Sequence, residues 1–173
     1  MPRIRAATVD DVDAIATAQV RTWRHAYAGL LPQSVLDGLD VAERAAMWRR
    51  GIEHGSPPGA VFVAESDGDV VGFVAVGRYQ GPDGERDPST GQVSAIYVTP
   101  DHWSTGAGRE LMQTAIEHLN SHGFAEVRLW VFGENARARR FYERCGFAPD
   151  GETFVENEGG RPVEEVRYTL HVR

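Results

Sequence analysis

Apolar and polar positions alternate along some stretches of this chain and recur at helical spacing along others. Arg3 to Ala7 reads as a short strand, and in Thr8-Val9-Asp10-Asp11 a capping Thr8 is followed by Asp11 in a first helical turn. Val12, Ile15, Ala16, Gln19 and Trp23 then fall along one side of a helix. Ala28-Gly29-Leu30-Leu31-Pro32 interrupts it, and Pro32 is expected to open a second helix through Arg50. Ala60 to Glu65 and Val70 to Tyr79 read as strands joined by a hairpin turn at Ser66-Asp67-Gly68-Asp69. Gly81 to Gly91, rich in Pro, Gly and charge, is expected to be loop. Gln92 to Val98 alternates and is β-branched and aromatic, hence a strand. A helix with Leu111, Ala115, Ile116 and Leu119 on one side follows, then a strand from Glu126 to Phe132 and a short helix after Asn135. Phe147 to Val155 and Val163 to His171 close the chain as a hairpin around residues 157–162. The order βααβββαβαββ is α/β (α+β) with a mixed sheet.

Composition narrows the class. A chain of 173 residues fits one domain, 1–173, with a sizeable core. Met1-Pro2-Arg3-Ile4-Arg5 precedes no apolar run, so neither a signal peptide nor a membrane span is expected. The single cysteine, Cys145, excludes an internal disulfide and fits a cytoplasmic protein. A net charge of −7 argues against nucleic-acid binding and is compatible with a cationic acceptor.

Two segments carry chemistry. In Asn135-Ala136-Arg137-Ala138-Arg139-Arg140-Phe141-Tyr142-Glu143-Arg144-Cys145-Gly146-Phe147, Asn135 is an N-cap and Gly146 stands where a left-handed C-terminal residue belongs. Asn135, Ala138 and Tyr142 share a face, so a slender ligand can approach the backbone at Ala138 and end beside the phenol. Upstream, a strand ends at Val98 and Thr99-Pro100-Asp101-His102 breaks it. Trp103-Ser104-Thr105-Gly106-Ala107-Gly108-Arg109 then leads into the next helix. Strand, small-residue turn and helix together point free backbone N–H groups at an anion. The spacing fits neither a P-loop, since Arg109-Glu110 follows the last glycine, nor the dinucleotide fingerprint, since position 111 is Leu.

The first segment resembles the pattern Asn-x-x-Ala-x-x-Phe-Tyr-x-x-x-Gly-Phe of the GNAT superfamily of N-acetyltransferases, and Gly106 and Gly108 match the small positions of its Arg/Gln-x-x-Gly-x-Gly/Ala turn. The resemblance spans nearly the whole chain, with its specific motifs within about residues 92–147. It implies a mostly antiparallel sheet whose fourth and fifth strands are parallel and splay apart, with flanking helices. It also implies acetyl-coenzyme A as co-substrate, without a metal, and transfer of the acetyl group to a primary amine. The pantetheine arm would lie in the splay near Ile96 and Val98, with the Val98 N–H donating to the thioester oxygen. Tyr142 would serve the leaving sulfur, although a helix-face tyrosine is also ordinary core material. Residues 103–109 and Asn135, Ala138 and Tyr142 would contact the cofactor, and a homodimer is a further implication.

Several positions depart from the family pattern or stay open. Many members carry Glu where this chain has Gln92, which cannot accept a proton but can orient a water or the amine. Another carboxylate or His, a water chain, or an amine that arrives neutral would then account for the proton; Glu65, His25 and the acid-rich stretch from Glu152 to Glu165 are unranked candidates, a solvated surface role is favoured for each, and no base is assigned. Trp103 replaces the usual Arg or Gln, and Ser104 a frequent Gly; Trp103 would cover the turn or stack near the adenine. Arg109 begins a helix, a position that favours a nearby anion such as pyrophosphate. Arg137 and Arg140, from a stripe that includes Arg139 and Arg144, are assigned to the 3′-phosphate, against a solvated face. Trp23 and Tyr27 form either an acceptor-binding aromatic wall or a buried helix face. His118 and His122 have metal-ligand spacing but no third ligand, and Cys145 reads as a buried small residue. A small-molecule amine is the expected acceptor. A protein N-terminus or lysine, or a non-catalytic coenzyme A sensor, are the alternatives.

Overall fold

Seven strands share one sheet: β1 (Arg3–Ala6), β2 (Ala60–Ser66), β3 (Asp69–Gln80), β4 (Arg86–Val98), β5 (Glu126–Phe132), β6 (Ala148–Glu158) and β7 (Arg161–His171). The structure, a computed structural model, describes residues 2–172; Met1 and Arg173, the ends of the expected domain, lie outside the described residues. The spatial order is β1-β2-β3-β4-β5-β7-β6, antiparallel throughout except for the parallel pair β4 and β5. That parallel step requires a crossover, which helix α4 (Ala107–Ser121) supplies. The remaining helices are α1 (Val12–Ala26), α2 (Gln33–Asp37), α3 (Val41–His54) and α5 (Ala136–Arg144). No helix among the described residues is long and apolar enough to cross a membrane.

Helices cover both faces of the middle of the sheet. In β3, Val74 points into the cluster that holds Leu111, Met112 and Leu119 of α4, and Phe73 points the other way, onto Ile15 and Ala18 of α1. Both are fully buried, which is why residues 71–76 are apolar without alternation. The turn between β2 and β3 takes φ of 51° at Asp67 and 85° at Gly68, the left-handed pair that a two-residue hairpin needs.

Three elements differ from the expectation. The helix expected from Pro32 to Arg50 is two helices, because Asp40 leaves helical geometry and caps α3 by accepting the Glu43 N–H at 3.1 Å. The loop expected over residues 81–91 is mostly strand: Asp87 pairs with Tyr79 and Arg86 with Gln80, and residues 88–90 bulge out. In the terminal hairpin the two strands run on to Glu158 and Arg161, leaving Gly159 and Gly160 as the turn.

Candidate active site

The site begins where the parallel strands part. β4 and β5 pair only at Gly91 with Val127 and Gln92 with Arg128. Just beyond, Ser94 is bulged, since Ala75 pairs with Ala95 but Val76 with Val93. A bulge bends its strand, and β4 turns away from β5. Thr99 N–H donates to the Val71 carbonyl at 2.9 Å. By the alternation of an antiparallel ladder, the N–H groups of Ile96 and Val98 therefore face the gap rather than β3. The Val98 carbonyl is held by the Trp103 indole N–H at 2.8 Å and by the Thr22 hydroxyl at 3.2 Å. These contacts fix the end of β4 with its N–H toward a cleft of about 1090 Å³.

One end of the cleft is built to receive an anion. Ser104 and Gly106 take φ of 63° and 93°, curling the chain into the start of α4. A serine carries that conformation less readily than glycine does, which accounts for glycine being frequent at this position. The first helical bond runs from Glu110 N–H to the Gly106 carbonyl, and Gly106 supplies no capping side chain. The N–H groups of Ala107, Gly108 and Arg109 are thus left without helical acceptors. A Cβ on Gly108 would stand 3.3 Å from the Phe141 ring of α5, so the two helices approach across a glycine.

The helix α5 is held at both ends. Asn135 Oδ1 accepts from Ala138 N–H at 3.2 Å. At the far end Gly146 has φ of 98°, with Gly146 N–H bonded to the Glu143 carbonyl and Phe147 N–H to the Tyr142 carbonyl. These two anchors set Ala138 and Tyr142 toward the cleft. Burial, and then Tyr97, hold the half-buried Tyr142 hydroxyl well above its usual pKa, so it keeps its proton at neutral pH.

Charge is divided along the cleft. Arg109, Arg137 and Arg144 line it with the glycine turn. The Arg137 guanidinium lies 3.4 Å from the centre of the Trp103 ring, whose edge also meets His25 at 5.0 Å. Burial, with Arg144 and Arg140 nearby, pulls the Arg137 pKa down, the mark of a cation short of anions. Glu156, Glu158 and Glu165 line the same cleft from β6 and β7. Glu165 faces Phe132 in register at the end of β5, and burial followed by Glu156 and Glu158 raises its pKa to about 7. Between the charged ends stand Trp23, Tyr27 and Tyr97, with Trp23 and Tyr27 edge to face at 5.2 Å.

Of the residues expected at the site, Trp23, Tyr27, Gln92, Ile96, Val98, Trp103, Ser104, Gly106, Gly108, Arg109, Asn135, Arg137, Ala138 and Tyr142 line this one cleft. Thr105, Ala107 and Arg140 do not: Thr105 ties its hydroxyl to the His102 carbonyl at 2.6 Å, Ala107 is buried under the turn, and Arg140 is exposed on α5. Tyr27 serves both readings of its helix, being 8% exposed in an apolar cluster with Leu31 and Phe132 while also lining the cleft.

Gln92, expected in a catalytic role, lines the cleft with its amide engaged by β3. Its Oε1 accepts from Gln80 N–H at 2.9 Å and its Nε2 donates to the Gln80 carbonyl at 3.2 Å, so the amide ties β4 to β3. Glu65 is likewise committed, to Arg5 at 2.7 Å. His25 sits against Trp103, beside the glycine turn. Glu165 was one acid among several in sequence. The signal that marks its neighbours is the spacing of Glu156 and Glu158, which puts both on one face of a strand. Tyr97 and Thr22 carried no separate signal. Cys145 is half-buried with its thiol pKa raised by burial, and His118 Nε2 lies 2.9 Å from the Pro58 carbonyl oxygen.

Comparison with known proteins bears on this geometry. The model of the acetyltransferase (GNAT) family matches residues 16–147. An uncharacterized N-acetyltransferase, YuaI, of Bacillus subtilis (strain 168) is 32% identical over 136 residues, covering 78% of this chain and 74% of the relative. The Mycobacterium tuberculosis protein named "Probable N-acetyltransferase Rv2775" is 31% identical over 176 residues, covering 98% and 93%. Among solved structures, the paia N-acetyltransferase of Thermoplasma acidophilum in complex with coenzyme A superposes with a TM-score of 0.73 at 18% identity, covering 99% of each chain. The yncA protein of Salmonella typhimurium, with its cofactor acetyl-CoA, has a TM-score of 0.75 at 23% identity, covering 100% of this chain and 95% of that one. At such identities these two speak for the fold alone.

Proposed function

The chain belongs to the GNAT acetyltransferase family and is an acetyl-CoA-dependent N-acetyltransferase, and from that premise we propose that it acetylates the primary amine of a small molecule, with Glu165 as base and Tyr142 as acid. The observation that carries this reading is the polarity of the cleft: free N–H groups and arginines toward the glycine turn, carboxylates from β6 and β7, and the Val98 N–H and Tyr142 lining the same space. The residues fit the co-substrate. Ala107, Gly108 and Arg109 offer backbone N–H groups, and Arg109 and Arg137 offer charge, to its phosphates. The opened edge of β4 at Ile96 and Val98 offers main-chain partners to an amide-bearing arm lying in the splay. When bound, acetyl-CoA supplies an activated acyl group on a thiol leaving group.

The chain's own residues then divide the work. Glu165, half-charged near neutrality, takes a proton from the incoming ammonium and frees its lone pair. Val98 N–H donates to the carbonyl oxygen as charge develops there. Tyr142, which holds its proton, donates to the departing sulfur. The C–N bond forms as the C–S bond breaks. The nitrogen loses two protons: one goes to Glu165, and the other replaces the one Tyr142 gives up. Gln92 stabilises the strand that carries Val98 and moves no proton. The whole chain acts as one catalytic domain.

Titration calorimetry tests the placement of the co-substrate. Wild-type protein is expected to bind acetyl-CoA. Gly108→Val, whose side chain would push against Phe141, is expected to weaken that binding by about tenfold or more while keeping its far-UV circular dichroism. Unchanged affinity in a folded variant would place the phosphates elsewhere.

A further inference from the structure

Where β5 leaves β4, Val98 is without a neighbouring strand on one side. It lies opposite Gly72 in register, and Thr99 N–H donates to the Val71 carbonyl at 2.9 Å. In an antiparallel ladder the N–H and the C=O of Val98 therefore both face away from β3, into the splay. A buried carbonyl needs a donor, and this one has two, each from outside the sheet. The Trp103 indole N–H reaches it at 2.8 Å from the turn before α4, and the Thr22 hydroxyl at 3.2 Å from α1. An indole N–H can only donate, and the Thr22 hydroxyl spends its single proton on this bond. Both side chains are themselves held. Thr22 is buried within α1, and the Trp103 ring has the Arg137 guanidinium over its face at 3.4 Å and His25 against it at 5.0 Å.

We propose that Thr22 and Trp103 are positioning residues for acetyl transfer: holding the Val98 carbonyl from two directions, they aim the Val98 N–H at the thioester oxygen. This rests on the transferase reading above. One donor would satisfy the carbonyl; two donors from different elements fix its direction. On an extended strand the N–H and C=O of one residue point to the same side, so fixing the carbonyl fixes the N–H. A donor to a developing oxyanion works through such prior alignment, and a small misplacement is costly. Trp103, standing where Arg or Gln is usual, has its one polar group committed to Val98, so its contribution lies at the reacting end of the cleft.

The test uses three variants of the full chain. Thr22→Val removes the hydroxyl and keeps the shape, Thr22→Ser keeps the hydroxyl, and Trp103→Phe keeps a ring for Arg137 and His25 but loses the N–H. Amine-dependent release of the coenzyme A thiol gives kcat and the KM for acetyl-CoA. Isotope-edited infrared spectra of acetyl-CoA carrying ¹³C at the thioester carbonyl, bound without amine, read the hydrogen bond to that oxygen. In Thr22→Val and Trp103→Phe, kcat is expected to fall about tenfold or more, with KM for acetyl-CoA changing less. Thr22→Ser is expected to recover most of the loss. The thioester band, at lower wavenumber in the wild-type complex than in free acetyl-CoA, should move back toward the free value in Thr22→Val and Trp103→Phe. Wild-type kcat and band position in both variants, an equal loss in Thr22→Ser and Thr22→Val, or a change confined to KM overturns the positioning role and leaves the transferase reading standing. No thiol release from any amine in wild type overturns that reading and this inference with it.

Discussion

Glu165→Gln is expected to lower kcat by about 10²-fold or more, within the range by which a positioned base accelerates transfer. It is also expected to remove a limb from the pH profile. In wild type, Glu165 with a pKa raised to about 7 is protonated and idle in acid and becomes an acceptor as the pH rises. kcat/KM therefore climbs through about pH 7 and levels off above it, until other groups titrate. Burial is the main cause of this value, followed by Glu156 and Glu158, and a positively charged acceptor counters the two glutamates. The kcat limb, which reports the complex, should consequently lie at lower pH than the kcat/KM limb. Glutamine keeps the shape and cannot accept the proton, so a Glu165→Gln enzyme with wild-type kcat and an unchanged acid limb would remove Glu165 from the reaction.

Tyr142→Phe comes second in size, an expected loss of about 10²-fold in kcat, or ~2.7 kcal/mol of barrier. The ring packs against Phe141, Phe147 and Tyr168 at centroid distances of 5.5, 6.3 and 6.2 Å, and phenylalanine preserves that packing. Acetyl-CoA affinity and thermal stability should therefore stay close to wild type while turnover falls. That split separates a proton donor from a merely buried aromatic, whose loss of a hydroxyl would leave kcat intact. The high pKa of Tyr142 adds a sign: its proton stays on across the neutral range, so the descending alkaline limb lies well above pH 7.

How much of this was legible in sequence depended on whether the signals were local. Asn135 and Gly146 bracket α5 within one short segment, and each end is held by contacts two to five residues away, so the helix and its Tyr142 face could be read directly. The bounds of β5 and the glycine turn before α4 were local in the same sense. The break at Gly38 to Asp40 had a readable cue, an Asp followed three residues later by Glu, that the longer helical pattern concealed. The first half of β4 had none. Pro88 and its charged neighbours look like loop, and they join the sheet because Tyr79 and Gln80 of β3 reach across to Asp87 and Arg86. The bond that ties the Gln92 amide to Gln80 joins residues twelve apart in sequence and adjacent in the sheet, so no local pattern signals it. Glu165 is the extreme case. Its environment comes from α1, β4, β6 and β7, so nothing near it in sequence separates it from the other acids of the terminal hairpin.

Amine-dependent release of the coenzyme A thiol from acetyl-CoA is the measurement that bears most directly on the central claim. Wild-type protein and acetyl-CoA alone should release thiol slowly. A small primary amine should raise the rate in a saturable way, with one N-acetylated amine formed for each thiol released. Acetyl-CoA that binds but yields thiol at the same slow rate with every amine offered would contradict the account.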